Sequence, residues 1–111
     1  MAAFAGCLGD RPRPAPPVLQ ITLDKDSVSS PDTLTGTVRA QDRDGIDSVW
    51  VTVDTLRVGD DGFFQETYQS RFRLPVRGGH VLGDHVLVRL QARDVAGFMG
   101  VLDTAVVVRG P

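Results

Sequence analysis

Val38-Arg-Ala-Gln-Asp-Arg-Asp-Gly-Ile46 and Leu90-Gln-Ala-Arg-Asp-Val-Ala-Gly-Phe98 are near copies of one another. Both read apolar-x-Ala-x-Asp-x-x-Gly-apolar, the end of an alternating strand running into a tight turn. The small Ala suits a place where two sheets come close. The Asp can accept a hydrogen bond from the turn backbone two residues on, and the Gly can take the positive φ that such turns often need. Two such strand ends in one short chain point to a two-sheet sandwich with turns gathered at one pole.

The alternation extends outward from these two anchors. Val86, Val88, Leu90 and Ala92 form one face of a strand whose other face is His85, Leu87, Arg89 and Gln91. Val18 to Leu23 is a first strand, with Leu19, Ile21 and Leu23 in phase. Thr33 to Ala40 is a second, with Leu34, Gly36, Val38 and Ala40 in phase. An Asp42-to-Asp47 turn leads into a third strand, Ser48 to Asp54, with Val49, Val51 and Val53 facing in. Leu56 to Val58 reads as a short edge strand closed by Gly59-Asp-Asp-Gly62. Phe63 to Val76 reads as one or two strands, with Phe64, Tyr68, Phe72 and Leu74 in phase, and a last strand runs from Val101 to Arg109. About seven short antiparallel strands with regular turn signals give an all-β sandwich, and no segment carries a helical period.

Composition narrows the function classes. The chain has 111 residues, and its 14 acidic against 12 basic side chains give a net charge of −2, which argues against nucleic acid as a partner. Lys25 is the only Lys and Glu66 the only Glu, a skew that resembles G+C-rich coding. A domain of roughly 95 residues buries about two-thirds of its unfolded surface, enough for a core without a staple. Cys7 is the only cysteine, so no internal disulfide can form.

At the N-terminus, Phe4-Ala5-Gly6-Cys7 resembles the last part of a bacterial lipoprotein signal, whose small-residue box ends in the cysteine that receives lipid. Phe4 departs from the usual aliphatic residue, and the basic and apolar regions of a full signal do not precede it. The other reading of Cys7 is a chance cysteine in a frayed tail. Prolines at 12, 14, 16 and 17 favour an extended spacer. Residues 1–17 are therefore expected to be a signal remnant and tether, and residues 18–111 the folded domain.

Val38 to Asp54, Gly83 to Gly97 and the Val-rich Thr104 to Val108 together resemble a bacterial immunoglobulin-like domain, of the group that also resembles fibronectin type III and cadherin modules. The resemblance covers Val18 to Arg109 and lacks the cysteines of antibody domains. It implies a non-catalytic module of a bacterial cell envelope protein, lipid-anchored or extracellular, that contacts protein or surface polysaccharide. The membrane would be met only through a lipid anchor on Cys7. Such folds host many roles.

The resemblance also places the turns after the second and sixth strands at one end. Asp42, Asp44 and Asp47 would then approach Asp94, and hard carboxylate oxygens around a Gly are what Ca²⁺ takes. The alternative is that these Asp residues only form turns. No other cofactor is implied. Trp50, with Leu87 beside it, is expected on an outward face suited to a partner or a stacked sugar. The alternatives are a side strand folded over it or a register one residue off that buries it. His80 and His85 read as solvated loop residues, and a transition-metal site between them would need a scaffold that is not evident. No nucleophile elbow, Cys/His pair or phosphate-cradling loop is present, so catalysis is not expected.

Overall fold

The computed structural model describes residues 15–109. Six strands form: β1 (Val18–Leu23), β2 (Ser27–Val28), β3 (Asp32–Val53), β4 (Leu56–Val76), β5 (His85–Asp94) and β6 (Met99–Val108). Among the described residues there is no helix, and so none long and apolar enough to cross a membrane.

The strands run in one sheet in the order β1-β3-β5-β6-β2, with β4 added alongside β3. All pairings are antiparallel except β2 with β6. About seven strands were expected, and the difference lies in two long ones. The expected second and third strands are a single β3 of 22 residues. The expected edge strand and the segment after it are a single β4 of 21 residues.

The chain stays continuous because the β3–β4 ladder absorbs its turns as bulges. Pairing steps from Gln41↔Thr67 to Ile46↔Gln65 and then to Ser48↔Asp61. Extra residues on one strand bend it and sharpen its twist without ending the ladder. The two strands join through Asp54 and Thr55, with Asp54 at φ 59, a conformation that Asp tolerates better than most residues.

Bending lets one sheet enclose its own core. Leu34, Val38 and Ala40 from the first half of β3 are buried, as are Val49, Val51 and Val53 from its second half. Val86, Val88, Leu90 and Ala92 of β5, Val106 and Val108 of β6, and Phe72, Leu74 and Val76 of β4 join them in the interior, with Ile46 of β3 and Val28 of β2. Leu19, Ile21 and Leu23 of β1 pack against it half-buried. β1 also touches β5 and β6, with which it makes no ladder, so the sheet curls until β1 meets β6.

Phe64 departs from the expected inward phase, because the bulge intervenes. Phe63 and Phe64 are 68% and 69% exposed and adopt φ of 54 and 60. Left-handed backbone at a non-Gly residue costs of order 1–3 kcal/mol and persists only where its surroundings enforce it. Here Asp61 Oδ1 accepts the Phe63 amide at 2.7 Å, and the Tyr68 hydroxyl donates to Asp60 at 2.5 Å across the bend. Gly62 lies flat against Ile46, where a Cβ would stand 2.2 Å from the Ile46 carbonyl oxygen. Gly62→Ala is therefore expected to lower the unfolding free energy by about 1–3 kcal/mol, the usual range for overpacking. Urea denaturation would measure it, and an unchanged midpoint would mean that the bulge yields freely.

Candidate metal centre

Three segments meet at one end of the molecule. The bulged stretch of β3 contributes Asp42, Asp44 and Gly45, the turn after β5 contributes Asp94 to Phe98, and the bend of β4 contributes Gly62 to Phe64. Asp42 Oδ1 accepts the Asp44 amide at 2.8 Å, the local turn bond that the sequence spacing favours. Gly45 sits at φ 94, and its carbonyl accepts the Val95 amide at 3.0 Å, tying the two turns together. A Cβ at Gly45 would fall 2.5 Å from the Phe64 carbonyl oxygen, so this close approach needs glycine.

Asp94 pairs with Ile46 at the last rung of β5 and is 1% exposed. Its Oδ1 accepts the Phe98 amide at 2.8 Å, closing the following turn. Its Oδ2 is buried and has no hydrogen-bond donor. Carboxylate oxygens of Asp42, Asp44 and Asp94 lie within 4.8 Å of one another. Asp42 is half-buried and Asp44 exposed, so the group opens toward solvent.

Burial raises the Asp42 carboxyl above its ordinary range, and the neighbouring charges of Asp94 and Asp44 push the same way. A buried carboxylate oxygen without a donor costs free energy unless a proton or a cation arrives to satisfy it. Two chemistries can do so here. A proton on Asp42 can be shared with Asp94, or a hard divalent cation can collect the oxygens.

Asp47 does not join the group. It lies past the bulge and takes the Arg93 guanidinium, with Nη2 to Oδ2 at 2.6 Å. Trp50 is half-buried on the face opposite Val49, Val51 and Val53. Its cross-strand neighbours are Gly59 and Gln91, not Leu87. Leu87 is 37% exposed but pairs with Ala105, well along the strand from Trp50. The Arg57 guanidinium stacks 5.0 Å from the Trp50 ring centroid, occupying surface that a sugar ring would need. Cys7 lies outside the described residues, as does the tether as far as Pro14.

A second polar cluster ties down the tip of the β3–β4 hairpin. His80 is largely enclosed, with Nε2 2.9 Å from Asp54 Oδ2 and Nδ1 3.5 Å from Asp84 Oδ2. Asp54 also accepts the Arg77 amide at 3.1 Å, while Ser30 Oγ accepts the His80 amide and donates to the Arg77 carbonyl. Neither histidine is the expected solvated loop residue: His85 is exposed but opens β5, paired with Val107, and His80 lies in a loop but is largely enclosed. No local spacing signals this cluster, because Asp54 and His80 stand 26 residues apart.

The hydrogen bond to Asp54 raises His80 above 6.5, with burial opposing it. Burial alone would raise Asp54, yet hydrogen bonds from His80 and the Arg77 amide outweigh it and hold the carboxyl below 3.8. The raised His contributes stability at low pH that is lost as pH climbs through its folded value. The lowered Asp contributes stability that is lost as pH falls through its own. The clamp is therefore strongest between 3.8 and 6.5. Melting curves across pH should show wild type losing stability relative to His80→Gln as pH rises past neutrality. Parallel profiles for the two proteins would contradict a charged clamp.

No protein-family model matches the chain, and no curated protein matches it. The functional reading rests on the geometry.

Proposed function

We propose that the protein is a non-catalytic, immunoglobulin-like β-sandwich module whose loop pole is tied by Ca²⁺. In this reading it is exported, anchored through lipid on Cys7 to a bacterial envelope, and serves a structural or adhesive role toward protein or surface polysaccharide. The bent strands support the sandwich. β1, the first half of β3 and the second half of β4 form one layer. The first half of β4, the second half of β3, β5, β6 and β2 form the other. Because β3 and β4 each serve both layers, six strands can fill the places of a sandwich with more, shorter strands.

One observation carries the cation: the buried Asp94 carboxylate, with an oxygen that has no donor, facing two further carboxylates. Ca²⁺ wants about six to eight oxygens, tolerates irregular geometry and favours carboxylates on a wrapping backbone. Without it, three acids this close repel one another unless a proton intervenes. Ligand binding to the folded state alone raises stability by mass action.

Millimolar Ca²⁺ should therefore raise the melting temperature relative to EDTA. Asp94→Asn separates this from general salt effects. The amide can keep the Phe98 bond through its oxygen while its NH₂ donates to Asp42. The variant should gain on the order of 1 kcal/mol without cation and lose the response to Ca²⁺. A wild-type melting temperature indifferent to Ca²⁺, or an equal response in Asp94→Asn, would defeat the reading.

A further inference from the structure

The pole that carries the three carboxylates also carries the most exposed aromatic side chains of the described chain. Phe63 and Phe64 are 68% and 69% exposed, held outward by backbone at φ 54 and 60. They belong to the same end, because the Phe64 carbonyl packs on Gly45, the residue after Asp44. Val95 and Phe98, 52% and 40% exposed, follow Asp94 on the neighbouring turn. Apolar side chains thus rim an acidic, solvent-open cluster.

We propose that this pole docks on an anionic phospholipid surface, with a divalent cation held by Asp42, Asp44 and Asp94 bridging to headgroup phosphate oxygens while Phe63 and Phe64 insert beside it. The inference rests on the cation reading above. Three carboxylates supply fewer oxygens than Ca²⁺ takes unless all are bidentate, so positions remain for oxygens from outside the chain. Asp44 is exposed, so those positions face solvent.

Charge selects the conditions. With Asp60 and Asp61 also at the bend, the pole without cation is acidic and an anionic bilayer repels it. With cation bound the repulsion falls and a phosphate oxygen becomes a ligand. Exposed Phe side chains then contribute apolar burial at the interface, which together with the electrostatic bridge sets binding strength. The chain also enters at this end: Val18 pairs with Gln41, next to Asp42, and Pro17 is buried against Gly100.

The test is co-sedimentation of the whole chain with vesicles of phosphatidylethanolamine and phosphatidylglycerol, with Ca²⁺ or EDTA, against pure phosphatidylcholine vesicles. Phe63→Gly/Phe64→Gly is the second arm, since glycine takes the positive φ without strain and the variant should fold. The expected result is Ca²⁺-dependent pelleting with the anionic vesicles alone, weakened about tenfold or more in the double variant. The double variant should keep the wild-type thermal response to Ca²⁺.

Three outcomes would overturn the docking inference while sparing the cation site. One is a normal thermal response with no pelleting. Another is pelleting unchanged in the double variant. The third is Ca²⁺-dependent retention on a uronic-acid polysaccharide in place of vesicles. Loss of the wild-type thermal response would instead remove the cation reading, and this inference with it.

Discussion

The unbroken ladder between β3 and β4 holds the molecule in register. Each strand is long enough to serve both halves of a curled sheet, and each must bend once on the way. The bend forces residues 42–45 of β3 and 62–64 of β4 out of the regular ladder at the same level. Everything unusual at the loop pole follows from that. Asp42 and Asp44 are delivered to Asp94 because the bulge needs an Asx turn and a glycine. Phe63 and Phe64 stand in solvent because the partner bulge turns them out.

Energetically the two ends of the molecule differ. At the hairpin tip the charges are complementary, with His80 and the Arg77 amide meeting Asp54, so the cluster is close to satisfied by its own atoms. Surface pairs elsewhere, such as Arg89 with Asp103 and Arg93 with Asp47, stand in or near solvent, which screens them and leaves them little net effect on stability. At the loop pole the charges are alike, and the Asp94 Oδ2 atom is buried without a donor. Among the described residues the other buried polar side-chain atom without a partner is Arg39 Nε, which is not part of an acidic cluster.

Much of the strand alternation was legible in the sequence, for a simple reason. Val49, Val51, Val53, Val86, Val88, Leu90 and Ala92 alternate with polar residues over uninterrupted stretches, and period-two burial leaves little choice of face. The approach of Asp42 and Asp44 to Asp94 could be anticipated from the paired turn motifs. Three things could not. The continuity of β3 and β4 depends on bulges, which look like turns in one dimension. Asp47 stands with the acids in the sequence, and nothing local shows that Arg93 takes it. The enclosure of His80 has no local signal, because its partner Asp54 comes from a distant turn. Phe64 fell out of phase for the first of these reasons: alternation counted through Gln65 and Glu66 takes no account of a bulge.

The most direct measurement is a Ca²⁺ titration of ¹⁵N-labelled protein followed by amide chemical shifts. A cation held by Asp42, Asp44 and Asp94 predicts saturable shifts confined to residues 42–46 and 94–98, with the Asp44, Val95 and Phe98 amides among the largest. The amides of Arg77 and His80, at the other end, should not move. Unchanged spectra, or weak shifts spread over every exposed acid, would contradict a built cation site.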